Sequence, residues 1–347
     1  QNKKGGVLGK KLEVIARDDG GKPGDAVKIA EEMVVNDKVV MIGGTFLSNI
    51  GLAVTDFAAQ KKVFFLAAEP LADQIVWEKG NRYTFRLRAS TYMQAAMLVE
   101  QAAKSKAKKW ATIAPNYAYG QDAVKAFIAL LKAKRPDIEI VAQQWPPNAR
   151  IDAGAEVQAL LRANAEGIFN VTFGGDLAKF VKEGNARGLF KDKTVVSLLT
   201  GEPEYADPLG ADMPEGWIVT GYPWAKIETP EHGAFLKAYQ AKYNDYPRLG
   251  SIVGYTWMYA AAGIIEKAKS TDTEALIKAA RGIELKSPMG PYHFRALDQQ
   301  ATLGAYVGLT TVEKGAATMK DGYYADGERF QPTDDEVKKL RPAEAMK

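Results

Sequence analysis

The sequence of 347 residues contains no cysteine and only two histidines, His232 and His293. The absence of cysteine excludes disulfides, thiolate nucleophiles and sulfur-ligated metals. His232 begins a predicted helix and His293 lies in a predicted strand, so both are interpreted as structural. Motifs for a nucleophile elbow, a phosphate-binding loop, a helical zinc site and a dinucleotide fingerprint are also missing. These absences argue against an enzyme, and we expect no catalytic residue, no cofactor and no metal.

The chain also has no long apolar run and no concentration of charge. The longest apolar candidate, residues 255–265, is interrupted by Thr256 and Gly263 and is shorter than the roughly 18 residues of a membrane helix. The net charge is +4, but the lysines occur in scattered pairs. A nucleic-acid partner is not expected, because such proteins concentrate basic residues on one face. No signal-peptide pattern stands at the start of this sequence, so location cannot be inferred from a targeting segment.

What the sequence does contain is an alternation of short apolar runs with helical patterns. A chain of 347 residues exceeds the usual size of one core, so two domains are expected. The alternation predicts the α/β class, with doubly wound parallel sheets. The predicted strands are residues 12–16, 39–42, 63–66, 83–87, 109–115, 139–143, 167–171, 194–199, 216–222, 290–295 and 302–312. The predicted helices are residues 25–36, 50–59, 91–104, 121–134, 154–164, 175–188, 232–243, 251–269 and 273–281. The residues from 313 onward are predicted to be a surface tail.

The first residues fit this pattern poorly. A doubly wound sheet needs a central strand, yet the first predicted strand follows only the turn Gly5 to Gly9. Residues 1–6 are more typical of the end of a helix. We therefore expect one βα unit upstream of Gln1.

The stretch from Val39 to Asn49 is the most informative in the chain. Four apolar residues end in Gly43-Gly44, and Ser48-Asn49 precede a helical pattern, which predicts a strand, a glycine turn and a capped helix. Open α/β sheets bind ligands at such turns, and the free N–H groups of a helix start favour an anion. The turn is therefore either a cradle for a carboxylate or phosphate, or an ordinary βα turn.

Polar and aromatic residues follow several other predicted strands. Since small-molecule sites combine apolar walls with a few placed polar groups, together these turns favour a ligand cleft between two domains. Besides Ser48 and Asn49, they comprise Ala67-Ala68-Glu69, Tyr117, Tyr119, Phe173 to Asp176, and Thr200-Gly201-Glu202.

The order of these motifs resembles the periplasmic solute-binding proteins of ABC transporters for branched-chain amino acids. The resemblance spans residues 5–312 and is carried by Gly6 to Lys10, Arg17-Asp18-Asp19, Ile42-Gly43-Gly44, Tyr83 to Arg86, Tyr119-Gly120, Tyr239 to Pro247 and Gly290 to Phe294. It implies the type I periplasmic-binding fold, with two doubly wound lobes joined by three hinge crossings. The crossings are expected near residues 107–110, 222–226 and 299–303. Lobe one would comprise residues 1–108 and 225–300, and lobe two residues 109–224 and 301–347, with the ligand cleft between them.

The resemblance also implies a function and a set of binding residues. A small solute would be held by closure of the two lobes in the periplasm and delivered by a monomer to a membrane permease. By analogy with the amino-acid binders, the turn Thr45, Phe46, Leu47, Ser48 and Asn49 would hold a carboxylate. Tyr119 and Phe173 would form walls, and Glu202 would pair with an ammonium group. Ala68 and Glu69 stand where the family usually has hydroxyls, although Glu69 could itself meet an ammonium group.

Three ligand classes remain open at this point: an apolar amino acid, an aromatic or aliphatic acid, and an amide or urea. The missing hydroxyls at Ala67 and Ala68 favour an acid without an ammonium group. Two other functions also remain open. One is a ligand-sensing regulatory module of the same fold, and the other is an α/β enzyme.

Overall fold

A computed structural model describes residues 1–346. The helices in chain order are α1 (Pro23–Val35), α2 (Ser48–Lys61), α3 (Thr91–Ala102), α4 (Ala118–Lys134), α5 (Ala153–Arg162), α6 (Gly174–Ala186), α7 (Pro203–Ala206), α8 (Pro230–Tyr243), α9 (Leu249–Ala268), α10 (Thr273–Ala280) and α11 (Asp334–Leu340). The strands are β1 (Ile42–Gly44), β2 (Phe65–Ala67), β3 (Thr84–Arg86), β4 (Lys109–Ile113), β5 (Glu139–Gln144), β6 (Gly167–Asn170), β7 (Thr194–Gly201), β8 (Ile218–Gly221), β9 (Glu284–Ser287), β10 (Gly290–His293), β11 (Ala305–Glu313) and β12 (Ala316–Ala325). The predicted α/β class is confirmed, and helices alternate with parallel strands through most of the chain.

The chain divides into two compact units. Unit 1 comprises Gln1–Ala89, Gly250–Leu303 and the residues from Pro332 onward, and unit 2 comprises Ser90–Leu249 and Gly304–Gln331. This division differs from the expected one, because the chain passes between the units at four places rather than three. The first passage precedes α3, since α3 packs against α4 within unit 2. Residues 225–249 also belong to unit 2, where His232 of α8 contacts Tyr222.

Unit 1 is built on a three-stranded parallel sheet of order β1-β2-β3, with β9 and β10 as a separate antiparallel hairpin. Small and apolar residues of α1 and α2 pack against Ile42, Phe65 and Ala67 of the sheet. A second aromatic cluster contains Phe64, Phe85 and Phe294, with Phe64 stacked on Phe85 at a centroid distance of 4.9 Å. The central strand β2 is therefore wholly apolar and buried, as is typical of a parallel strand covered on both faces, whereas β3 adds the buried polar residues Thr84 and Arg86.

The predicted strand at residues 12–16 is not formed. These residues belong to no strand, and the Val14 side chain is 65% exposed. Among the described residues no strand pairs with this segment. An apolar run alone does not form a strand, because its N–H and C=O groups need a neighbouring strand to bond with.

The end of the chain is not the surface tail that its composition predicts. β12 pairs with β11 in unit 2, and α11 begins with a capping box between Thr333 and Glu336. Arg341 follows α11 and is only 3% exposed. Its guanidinium donates hydrogen bonds to backbone carbonyls of Val76, Asn81 and other residues of unit 1. The residues after Pro332 are thus anchored in unit 1, whereas they were expected in lobe two.

Unit 2 contains a seven-stranded sheet of order β12-β11-β8-β7-β6-β4-β5. The strands from β8 to β5 are parallel, while β11 and β12 add to the β8 edge in antiparallel fashion. One large apolar cluster of this unit includes Ile168, Phe180 and Trp217. The carboxyl ends of β4, β6 and β7 therefore lie side by side at one edge of the sheet.

His232 gives unit 2 a pH-dependent contact. The side chain is fully buried, and its Nε2 lies 2.6 Å from the Tyr222 hydroxyl oxygen. Burial lowers the pKa of His232 from its ordinary value of 6.5, so the unfolded chain binds a proton more readily than the folded one. We expect the free energy of unfolding to fall as the pH is lowered below about 6.5.

Urea unfolding of the wild type and of His232→Gln at pH 7.5 and pH 5.5 checks this expectation. The variant should be less stable at pH 7.5 but should lose less further stability on acidification. An identical loss in both proteins would mean that other groups cause the pH dependence.

Candidate functional site

The turn after β1 adopts a strained backbone conformation. Thr45 has a φ of 57°, which is unusual for a β-branched residue. The Oγ1 atom of Thr45 is buried and has no hydrogen-bond partner among the described residues. Strained residues cluster at ligand sites, where the surrounding structure holds them in place. The turn thus holds the Thr45 hydroxyl in a fixed position.

Helix α2 begins directly after this turn and leaves backbone donors available. The Leu47 carbonyl accepts hydrogen bonds from Ile50 and Gly51. The N–H groups of Ser48 and Asn49 have no acceptor among residues 1–346, and no side chain caps the helix. Free N–H groups and the helix dipole together favour an anion at this position.

Ser48 has a structural role in this turn. Its side chain is buried, and its Oγ accepts hydrogen bonds from the N–H groups of Leu71 (3.2 Å) and Ala72 (3.0 Å). The hydroxyl therefore braces the segment after β2, and the expected side-chain cap of α2 is not made. Phe46 and Asn49 are exposed, and Leu47 is half-buried. Binding of a solute by any of these residues stays a prediction.

A tryptophan side chain of the same unit leaves no room for a Cβ atom at Gly43. A Cβ atom at Gly43 would lie 1.8 Å from Cζ2 of Trp257. The Trp257 indole N–H donates to the Leu66 carbonyl at 2.8 Å. Gly43 thus allows Trp257 of α9 to pack closely on the sheet beside the turn.

The turn after β2 is hydrogen-bonded to the turn after β1 and contains a carboxylate that forms an ion pair. The Ala68 N–H donates to the Gly44 carbonyl at 3.0 Å. The Glu69 carboxylate lies 2.6 Å from Nη1 of Arg88, and the two side chains are only 17% and 8% exposed. The negative charge of Glu69 is therefore already paired, which argues against its use as the partner of an ammonium group. Arg88 was missed from the sequence because nothing in its neighbourhood marks it as the partner of Glu69.

The aromatic residues of unit 2 form a continuous cluster. Tyr119 contacts Phe173 edge to face, with ring centroids 5.6 Å apart and planes at 83°. Tyr117 lies 5.9 Å from Tyr119, and Tyr205 lies 6.2 Å from Phe173. We call these four residues the aromatic wall.

The residues of the aromatic wall lie close together because they follow the ends of neighbouring strands. Tyr117 and Phe173 are the residues just before α4 and α6, both in extended conformation, so they leave the carboxyl ends of β4 and β6. Sequence reasoning placed Tyr119 and Phe173 in one site, and the structure brings their rings into contact. Tyr205 was missed, since α7 is too short to show a helical pattern.

Glu202 lies in the turn that leads from β7 to α7. Its side chain is 3% exposed, and its carbonyl accepts hydrogen bonds from Tyr205 and Ala206. Glu202 is thus one helical turn from Tyr205 of the aromatic wall. The predicted site residues therefore fall into two groups, 45–49 with 68–69 in unit 1, and 119, 173 and 202 in unit 2.

Among residues 1–346, no three acidic or histidine side chains are placed to bind a metal ion. In the same range, no helix combines the length and the apolar character needed to cross a bilayer.

Comparison with known proteins identifies relatives of one kind. Residues 1–316 match the family model described as periplasmic binding protein. A Leu/Ile/Val-binding protein homolog 7 of Brucella suis biovar 1 is 26% identical over 313 residues, covering 85% of this chain and 77% of that protein. A leucine-, isoleucine-, valine-, threonine- and alanine-binding protein of Pseudomonas aeruginosa is 24% identical over 294 residues, covering 84% of this chain and 77% of that protein.

Solved structures give a similar result. The crystal structure of a solute-binding protein of an ABC transporter from Rhodopseudomonas palustris BisB5, in complex with 3,4-dihydroxybenzoic acid, superposes with a TM-score of 0.81. It is 26% identical, and the match covers 94% of this chain and 90% of that one. The two-lobed type I fold expected from the sequence is confirmed by this similarity.

Proposed function

The chain belongs to the periplasmic binding protein family, and from this membership we propose that it binds a small carboxylic acid for an ABC transporter. It is a binding protein and not an enzyme, like the relatives it matches. The proposed solute carries one carboxylate and an apolar body, and an aromatic acid is the first candidate. We further propose that it acts in the periplasm as a monomer. In this proposal the two units close on the solute and present it to a membrane permease.

The aromatic wall is the observation that carries this proposal. Four rings, with neighbouring centroids 5.6 to 6.2 Å apart, belong to residues that follow the carboxyl ends of β4, β6 and β7. Aromatic rings pack favourably against one another in edge-to-face or offset arrangements, so the aromatic wall suits a solute that bears a ring. The carboxylate would be held in unit 1 by the N–H groups of Ser48 and Asn49, in the turn that begins at Thr45. The pairing of Glu69 with Arg88 supports an acid that lacks an ammonium group.

An apolar amino acid is the second candidate. The relatives of this chain include a Leu/Ile/Val-binding protein homolog and a leucine-, isoleucine-, valine-, threonine- and alanine-binding protein, and their names favour this candidate. The position of Glu202 directly after β7, in the same unit as the aromatic wall, supports it as well, because carboxylate oxygens accept hydrogen bonds from an ammonium group. The difference between the two classes that bears on Glu202 is the ammonium group, so ligands with and without this group separate the two candidates.

A thermal-shift panel tests the proposal. It contains benzoate, 4-hydroxybenzoate, leucine, its ammonium-free analogue 4-methylpentanoate, benzamide and urea. Binding to the folded state at a thousand times the dissociation constant adds about 4 kcal/mol to its stability, so a true ligand should raise the melting temperature clearly.

We expect the aromatic acids to raise the melting temperature and benzamide not to, since benzamide keeps the ring but lacks the carboxylate. A shift with benzamide or urea alone would favour the amide class instead. If no compound of any class changes the melting temperature, the proposed function is wrong.

A further inference from the structure

Glu202 directly follows an irregular bulge in the sheet of unit 2. Ser197 of β7 pairs with Val219 of β8, and Gly201 pairs with Gly221. Three residues of β7 therefore stand opposite a single residue of β8, Thr220. Bulges bend a strand and redirect its side chains, and they are enriched beside functional sites.

The middle residue of this bulge, Leu199, is held in an unfavourable conformation. Its φ is 65°, a region that bulky side chains rarely adopt. Its N–H donates to Oγ1 of Thr220 at 3.0 Å, and its carbonyl accepts the Glu202 N–H at 2.9 Å. The conformation of Leu199 thus fixes the backbone from which the Glu202 side chain projects.

Thr220 is itself oriented by a buried glutamine. Its hydroxyl donates to Oε1 of Gln94 at 2.8 Å, and both residues are 1% exposed. A hydroxyl has one hydrogen, so its donation to Gln94 leaves a lone pair to face the Leu199 N–H. Because the pair is buried, its hydrogen bonds cannot readily be replaced by water, and an unmet donor at Leu199 would be unfavourable.

The same bulge is held from β6 as well. Nδ2 of Asn170 donates to Oγ of Ser197 at 2.8 Å, and that oxygen lies 2.6 Å from Oγ1 of Thr200. The structure therefore stabilises this strained segment with polar side chains from two neighbouring strands and from α3. An ordinary βα turn does not need that many buried polar contacts.

We propose that Gln94 and Thr220 position Glu202 and so determine which solutes the site prefers. The inference rests on the proposed function and adds a selectivity to it. Carboxylate oxygens accept hydrogen bonds, so a correctly placed Glu202 favours a solute that bears a donor besides its carboxylate. A phenolic hydroxyl and an ammonium group share this chemistry.

Isothermal titration of Thr220→Val tests the proposal with two ligand pairs. The pair 4-hydroxybenzoate and benzoate isolates the hydroxyl, and the pair leucine and 4-methylpentanoate isolates the ammonium. Valine keeps the shape of threonine but neither donates to Gln94 nor accepts from Leu199. For whichever pair binds, we expect the affinity for the donor-bearing ligand to weaken about tenfold. The affinity for its donor-free partner should change less than about twofold. Gln94→Met should act in the same direction, and Thr220→Ser should restore the preference.

Thr310→Val is the matched control. Thr310 is fully buried, accepts the Trp217 N–H at 3.0 Å and donates to the Pro214 carbonyl at 2.6 Å. Its replacement removes the same kind of hydroxyl from the same sheet, at the end of β8 away from the bulge. It should lower the melting temperature comparably and leave both affinities unchanged.

Equal weakening of both members of a pair by Thr220→Val, or no weakening, would overturn the inference. Ligand-free crystal structures separate this failure from failure of the proposed function. In Thr220→Val, Leu199 should leave the left-handed region and Glu202 should move, while both stay in place in Thr310→Val. An unmoved Glu202 would refute the positioning role even if the wild type bound none of the ligands.

Discussion

Replacing Arg341 with methionine is expected to lower the free energy of unfolding by about 3–5 kcal/mol. The Arg341 guanidinium donates to the backbone carbonyls of Val76, Asn81, Asp298 and Ala345 and to the side chain of Gln299. Methionine fills a similar volume but donates to none of these acceptors, and each buried acceptor left unmet is unfavourable. Since these contacts join the end of the chain to unit 1, their loss should release that segment.

The charge of Arg341 does not change this expectation. Burial lowers the pKa of the guanidinium to about 10, so the group is still cationic at neutral pH. The nearby Asp298 carboxylate is fully buried and is also paired with Arg295. Loss of Arg341 therefore removes donors and one of two cations near Asp298.

Urea unfolding at neutral pH measures the effect, with Arg17→Met as its control. Arg17 also belongs to unit 1, but its side chain is 45% exposed and it pairs with Asp37 at the surface. Surface pairs of this kind contribute about 0–1 kcal/mol. Equal stability of the two variants would show that the end of the chain contributes little to unit 1.

The fold could be predicted from the sequence wherever an element carries its own pattern. Helices such as α3 and α4 and strands such as β6 and β7 lie within a few residues of their predicted positions. β12 was missed because its apolar residues, Ala317 and Met319, alternate within a polar, glycine-containing stretch. The strand predicted at residues 12–16 was wrong for the opposite reason, because its apolar run has no strand beside it.

The candidate site was less predictable, because its key properties depend on distant residues. The composition of the turn after β1 suggested an anion cradle, but the left-handed Thr45 and the bracing role of Ser48 depend on the folded backbone. Glu69 was considered as a partner of an ammonium group, and only the structure shows its pairing with Arg88. Likewise, no pattern near Glu202 indicates that Thr220 and Gln94 hold the turn before it.

Replacing Tyr119 with alanine is expected to weaken the affinity for the best solute about 30- to 100-fold, a loss of about 2–3 kcal/mol of binding free energy. Tyr119 is 3% exposed, and its ring links Tyr117 to Phe173 within the aromatic wall. The substitution removes one ring of the aromatic wall and leaves the Phe173 ring free to turn away from the solute. Tyr119→Phe should keep most of the affinity, because the ring and its edge-to-face contact remain.

Phe190→Ala is the control that separates a binding role from general packing. Phe190 belongs to the same unit and contacts Phe180 and Trp217 at centroid distances of 5.4 Å and 4.8 Å. It precedes β7, at the end of the sheet away from the aromatic wall, so its loss should lower stability without changing affinity. Isothermal titration of the three variants with one solute measures their affinities and so separates a binding role of Tyr119 from a packing role. If Tyr119→Ala binds as tightly as Phe190→Ala, the aromatic wall packs unit 2 and the solute is held elsewhere.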